Sequence, residues 1–86
     1  MSRKTESMKR ITLIELKAGH KGTIVAIDGG AQLEKRLAVM GIAVDKHVTK
    51  LSAFVMRGPV AVRVGRTVVA LGHGVAGKIW VTVHKK

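Results

Sequence analysis

The sequence predicts a mainly β domain, a small, strongly bent antiparallel barrel of about five short strands with one short α-helix inserted after the first. Three observations carry that reading. Valine and isoleucine supply 19 of the 86 residues, and β-branched side chains fit a pleated, half-buried surface. Only Ala31 to Met40 carries an extended helical period. Glycines cluster at Gly29-Gly30, Gly58-Pro59 and Gly72 to Gly77, between the apolar runs, where a closing sheet needs bends. The competing layout, a flat five-stranded sheet with one helix, leaves those bends without a use.

Residues 1–10, MSRKTESMKR, are polar and basic and read as a flexible arm, which puts the ordered domain at residues 11–84. Thr12 to Leu16 predicts a single helical turn, with Thr12 as N-cap and Glu15 three residues on to complete a capping box. Gly22 to Asp28 is rich in β-branched residues and reads as a strand closed by Gly29-Gly30. The period then changes. Leu33, Leu37 and Met40 recur at i, i+4 and i+7, which makes an apolar stripe on a short helix and leaves Lys35 and Arg36 pointing outward. Gly41 ends that helix in the left-handed conformation, with Ile42 as the apolar contact of a Schellman-type stop.

The turn Val44-Asp45-Lys46 leads into a strand at His47 to Ser52. Phe54 to Pro59 reads as a loop, and the one proline sits where a strand can begin without its amide donor. Val60, Val62 and Val64 alternate with Ala61 and Arg63, so one face of the next strand is apolar. Gly65-Arg66 separates it from Thr67 to Leu71 by two residues, with glycine first, as a type II′ hairpin requires. Gly72 to Gly77 reads as a tight corner, and Ile79 to Val83 as the last strand.

Length and composition narrow the function. A chain of 86 residues makes one domain and buries only about 60–65% of its unfolded surface, so it has no room for a deep cleft between domains. The absence of cysteine removes disulfides, thiolate zinc sites, iron–sulfur clusters and a thiol nucleophile together. With no apolar leader and no run of about 18 apolar residues, the chain reads as cytoplasmic.

Several motifs tempt a chemical reading. Gly72 to Lys78 matches both GxGxxG and GxxxxGK, yet each needs a following helix to hold phosphates, and here Ile79 to Val83 predicts a strand. Glycine turn is the better reading. The four histidines, His20, His47, His73 and His84, show no HxH or HxxxH spacing. The metal candidates among them, His47 and His73, offer at most a weak site for a divalent transition metal, iron or zinc, and a tight one would have to bridge chains. No cofactor is expected to bind tightly. Five scattered carboxylates and no nucleophile elbow argue against catalysis.

The net charge is +11. Residues 1–10 hold four basic residues against one acidic and Lys85-Lys86 add two, so +6 stays on the 74 residues between. Such a surface suits an acidic partner, anionic lipid or nucleic acid. Phe54 and Trp80 are the only aromatics available for base stacking, so no specific nucleic acid is expected.

The order of motifs resembles the FeoA family. The residues that carry the likeness are Leu13 to Gly19, Gly22 to Val25, Leu33 to Ile42 with its Lys35-Arg36-Leu37 and Met40-Gly41-Ile42, Arg57-Gly58-Pro59-Val60, and Val68 to Ile79. The likeness implies an SH3-like barrel and an accessory role in ferrous iron transport. It further implies contact with the cytoplasmic GTPase domain of a FeoB-type membrane transporter, so that the membrane is met only through the partner. The docking candidates are Lys35 and Arg36 on the helix and Met56, Arg57, Gly58 and Pro59 in the loop. Open valine-rich edges make a homo-oligomer a further expectation. The alternative comes from Gly19 to Ile27, which also resembles the KOW element of RNA-binding barrels.

Overall fold

The computed structural model describes residues 8–53 and 58–84, and these fold into six strands, five of them in the apolar runs between turn residues. The strands are β1 (Met8–Thr12), β2 (Lys21–Ile27), β3 (His47–Ala53), β4 (Val60–Val64), β5 (Thr67–Leu71) and β6 (Ile79–His84). Helix α1 (Gly30–Val39) follows β2, and a single helical turn, α2 (His73–Ala76), precedes β6. All neighbours are antiparallel in one sheet of order β1-β6-β2-β3-β4-β5. No ladder joins β1 to β5 among the described residues, so the sheet surrounds its core by bending and packing.

The local predictions hold in detail. The Thr12 amide donates to Glu15 Oε1 at 2.9 Å and the Glu15 amide to Thr12 Oγ1 at 3.4 Å, a reciprocal capping box. At the end of α1 the Ile42 amide donates to Leu37 O and the Gly41 amide to Ala38 O, both at 2.9 Å, with Gly41 at φ +86°. That is the Schellman pattern, and it delivers Ile42 into the core beside Leu37. Gly65 has φ +62° while Arg66 stays at negative φ, which defines the type II′ turn between β4 and β5.

Three features depart from expectation. The first strand begins at Met8, three residues before the expected start of order, and pairs along β6 from Met8↔His84 to Thr12↔Trp80. Lys9 and Arg10 are exposed and Ile11 is half-buried, so this strand is held by backbone pairing with little burial. Its alternation signal was accordingly absent. Second, the corner at Gly72 to Gly77 contains the helical turn α2, where the Ala76 amide donates to Gly72 O and the Gly77 amide to His73 O. A strand follows it, so neither nucleotide motif has its helix. Third, the bends within the sheet come from bulges, between Ile24 and Ala26 on β2 and between Lys50 and Ser52 on β3, which kink and twist their strands.

The core is one cluster fed by every layer, with Leu13, Ile24, Leu37, Ile42, Ile79 and Val81 among its buried members. Gly22 lets β2 approach β6 closely, because a Cβ there would stand 2.7 Å from Thr82 O. No helix among the described residues is long and apolar enough to cross a membrane.

Candidate functional site

Helix α1 stands against the sheet through Leu37, which is buried, and through the half-buried Leu33 and Met40. The three predicted stripe residues therefore anchor it. Lys35 and Arg36 are both exposed, on different flanks of the helix. Lys35 borders an open hollow of about 470 Å³ whose apolar lining includes Ile27, Ala31, Ala38 and Val44, with the carboxylate residue Glu34 also on its wall. Arg36 borders a smaller one of about 180 Å³ shared with Leu33, Met40 and the β5 end, Ala70 to Gly72. The exposed Val39 and Val44 add apolar surface beside this helix.

Of the loop candidates, Gly58 is half-buried and Pro59 exposed, directly before β4. Neither hollow on α1 is lined by Gly58 or Pro59, so the structure does not gather these two residues and the helix candidates into one concavity. Met56 and Arg57 lie outside the described residues, as does Phe54.

His47 opens β3 and lies exposed, with its Nδ1 3.1 Å from Thr23 Oγ1 on the neighbouring strand in a hydrogen bond. His73 begins α2 and is half-buried. Among the described residues no group of three histidine, cysteine or carboxylate side chains converges as a metal site requires. The described residues of one chain therefore do not fit a resident zinc.

Two side-chain contacts tie distant segments together. Lys50 is 4% exposed on the inward face of β3, and its ammonium donates to Ile14 O at 2.9 Å. Burial pushes its pKa below the ordinary lysine value. The main chain of the same residue completes the link, since the Gly19 amide donates to Lys50 O and the Lys50 amide to His20 O. Elsewhere Trp80 Nε1 donates to Asp28 Oδ2 at 3.1 Å. Both contacts span 36 residues or more, and nothing in the local sequence announces them.

Six short antiparallel strands, a helix inserted after the second and a cysteine-free core define a small SH3-like domain. The FeoA domain family matches residues 11–83, and the chain belongs to it. Its members are non-enzymatic accessory proteins of ferrous iron transport. The chain is similar to the crystal structure of an iron uptake regulatory protein, FeoA, at 32% identity and a TM-score of 0.76, covering 85% of this chain and 95% of that one. A FeoA from Stenotrophomonas maltophilia, crystallised with zinc and described as a prokaryotic SH3 domain protein, shares the fold at 24% identity and a TM-score of 0.69, over 88% and 99% of the two chains. A manganese-dependent transcriptional repressor matches at 28% identity and a TM-score of 0.77, over 86% of this chain but only 41% of the repressor. Among curated proteins no sequence match is found.

Proposed function

We propose that this chain is a cytoplasmic adaptor that regulates a FeoB-type ferrous iron transporter by docking on an acidic surface of its cytoplasmic GTPase domain. The observation that carries the reading is the outer side of α1, where exposed Lys35 and Arg36 flank apolar hollows that include Val44 and Met40. Positive charge beside open apolar surface suits a partner that is steered in by charge and held by contact. Met56, Arg57, Gly58 and Pro59 extend the same contact from the loop before β4. Ferrous iron is the cargo of the partner. Metal binding by this chain itself is weak, through His47 or His73, and any tight site forms between chains of a homo-oligomer.

Charge and contact separate experimentally. With the transporter's cytoplasmic domain immobilised, reversing Lys35 and Arg36 to glutamate slows association and removes much of its salt dependence, because rim charges act mainly on the on-rate. Met56→Asp instead speeds dissociation by leaving an unpaired charge in the dry part of the contact. Both variants are first shown to fold. Unchanged binding in both, or no binding of the parent at low salt, defeats the proposal.

A further inference from the structure

The outer face of the sheet, away from α1, holds a cleft that the docking reading does not use. Its volume is about 390 Å³, and strands β6, β2, β3 and β4 all contribute to it. Register explains its chemistry. Thr23 stands opposite Thr82 on one side and His47 on the other, and Thr49 stands opposite Lys21 and Arg63. Two cross-strand rows result, Thr82-Thr23-His47 and Lys21-Thr49-Arg63, on one face. The three threonines are half-buried and form the floor, whereas Lys21, His47 and Arg63 are exposed at the rim.

We propose that this cleft binds the phosphate group of a small soluble phosphomonoester. Among the described residues no carboxylate lines it, so neither fixed cation there has an acidic neighbour from those residues within the cleft. The donors match a phosphate better than a carboxylate. The Thr49 and Thr82 hydroxyls, an ammonium, a guanidinium fork and one donor from the hydrogen-bonded Thr23–His47 pair converge on one hollow, and a phosphomonoester presents three terminal oxygens and up to two charges to meet them. The Thr23 to His47 hydrogen bond ties the imidazole to the floor and keeps it at the rim. The ligand is soluble rather than a lipid headgroup because, of the large apolar side chains that stand exposed among the described residues, Val39 and Val44 do not line the cleft and Val68, opposite Arg63 on β5, stands alone beside its rim, too little apolar surface to insert into a bilayer around it.

The test uses the full chain and inorganic phosphate. Amide correlation spectra are recorded during a phosphate titration at fixed pH, with chloride holding the ionic strength constant. Saturable shifts are expected at Lys21, Thr23, Thr49 and Thr82, with a midpoint near or below about 1 mM. Arg63→Gln and, separately, Lys21→Gln should each weaken binding roughly tenfold or more, while Arg36→Gln, which removes the same charge from the helix, leaves it unchanged. Both cleft variants replace exposed side chains, so folding is checked and retained. Shifts that rise linearly without saturating overturn the proposal, as does equal weakening by Arg36→Gln, which reduces the effect to net charge. A parallel arm sediments the protein with phosphatidylcholine vesicles containing phosphatidic acid. Arg63-dependent vesicle binding without saturable phosphate binding overturns the soluble ligand in favour of a membrane headgroup.

Discussion

Strands β2 and β3 have two faces that differ in almost every physical respect. Inward, Ile24 and Val48 are buried in the core, and Gly22 makes room for β6. Outward, Lys21, Thr23, His47 and Thr49 form polar rows across the sheet. Period-2 alternation assigns each residue to its side, so one short strand serves both stability and recognition. The inner face has a single polar exception, Lys50, and the outer face has no large exposed apolar residue among those strands. Stability and binding are therefore expected to respond to different substitutions only one residue apart.

The largest expected effect lies on the inner side, at the helix that closes it. Leu37 is 2% exposed and packs in the cluster that includes Ile42 and the strand residues. Truncation to alanine removes methyl and methylene groups and leaves a cavity, at about 2–5 kcal/mol. That is a large share of the stability of so small a domain, of the order of 5–10 kcal/mol. Leu37→Ala is expected to be largely unfolded or molten at 37 °C by circular dichroism, and a melting temperature near the parent's would remove α1 from the core side of the comparison.

Next comes the close approach of β2 and β6. An alanine Cβ at Gly22 would stand 2.7 Å from Thr82 O and 3.1 Å from Val81 Cβ. Neither neighbour is the free end of a flexible side chain, so the strands must separate, at a cost of about 1–3 kcal/mol. Gly22→Ala should lower the denaturant midpoint accordingly. It should also disturb the outer cleft, since Thr23 and Thr82 ride on the same two strands, and this makes it the variant that joins the two faces.

Lys50 sharpens the comparison through pH. Burial lowers its folded pKa below the ordinary value of 10.5. Below the folded value both folded and unfolded chains carry the proton, and the folded state bears the whole cost of the buried charge. As pH rises from that value towards 10.5 the folded chain sheds its proton first, the unfolded chain binds more protons, and stability rises. The neutral amine still donates to Ile14 O, so the contact survives the loss of charge. The difference in unfolding free energy between parent and Lys50→Met is expected to grow in the parent's favour across this alkaline window. A constant difference places Lys50 effectively in water and erases the exception.

The legible parts of the fold are those written within a few residues. Thr12 and Glu15 form their capping box, Leu37 to Ile42 the Schellman stop, and Gly65-Arg66 the hairpin turn, because each depends on contacts at short separation. Pairing between distant strands was not legible. Strand β1 buries little and carries no alternation, the bulges near Val25 and Leu51 have no sequence marker, and the partners of Lys50 and Trp80 come from distant segments. The same reason hid the cleft. Lys21, His47, Arg63 and Thr82 look like unrelated surface residues until register aligns them, and the helix candidates Lys35 and Arg36 were legible because a single period sets their direction.

The smallest expected effect tests whether the outer face is free of structural duty. Thr23 is half-buried and its hydroxyl meets His47, which is itself exposed and able to bond water instead. Thr23→Val keeps the β-branched shape that suits the strand and removes only the hydroxyl. The stability change should stay within about 0.5 kcal/mol, the range of surface substitutions that break no buried network. A loss comparable to that of Gly22→Ala would mean that the hydroxyl floor helps hold β2 to its neighbours, and the outer face would then belong with the core. A silent Thr23→Val in stability, combined with weaker phosphate binding, separates the two faces at adjacent residues: Gly22 for the approach of strands and Thr23 for the ligand.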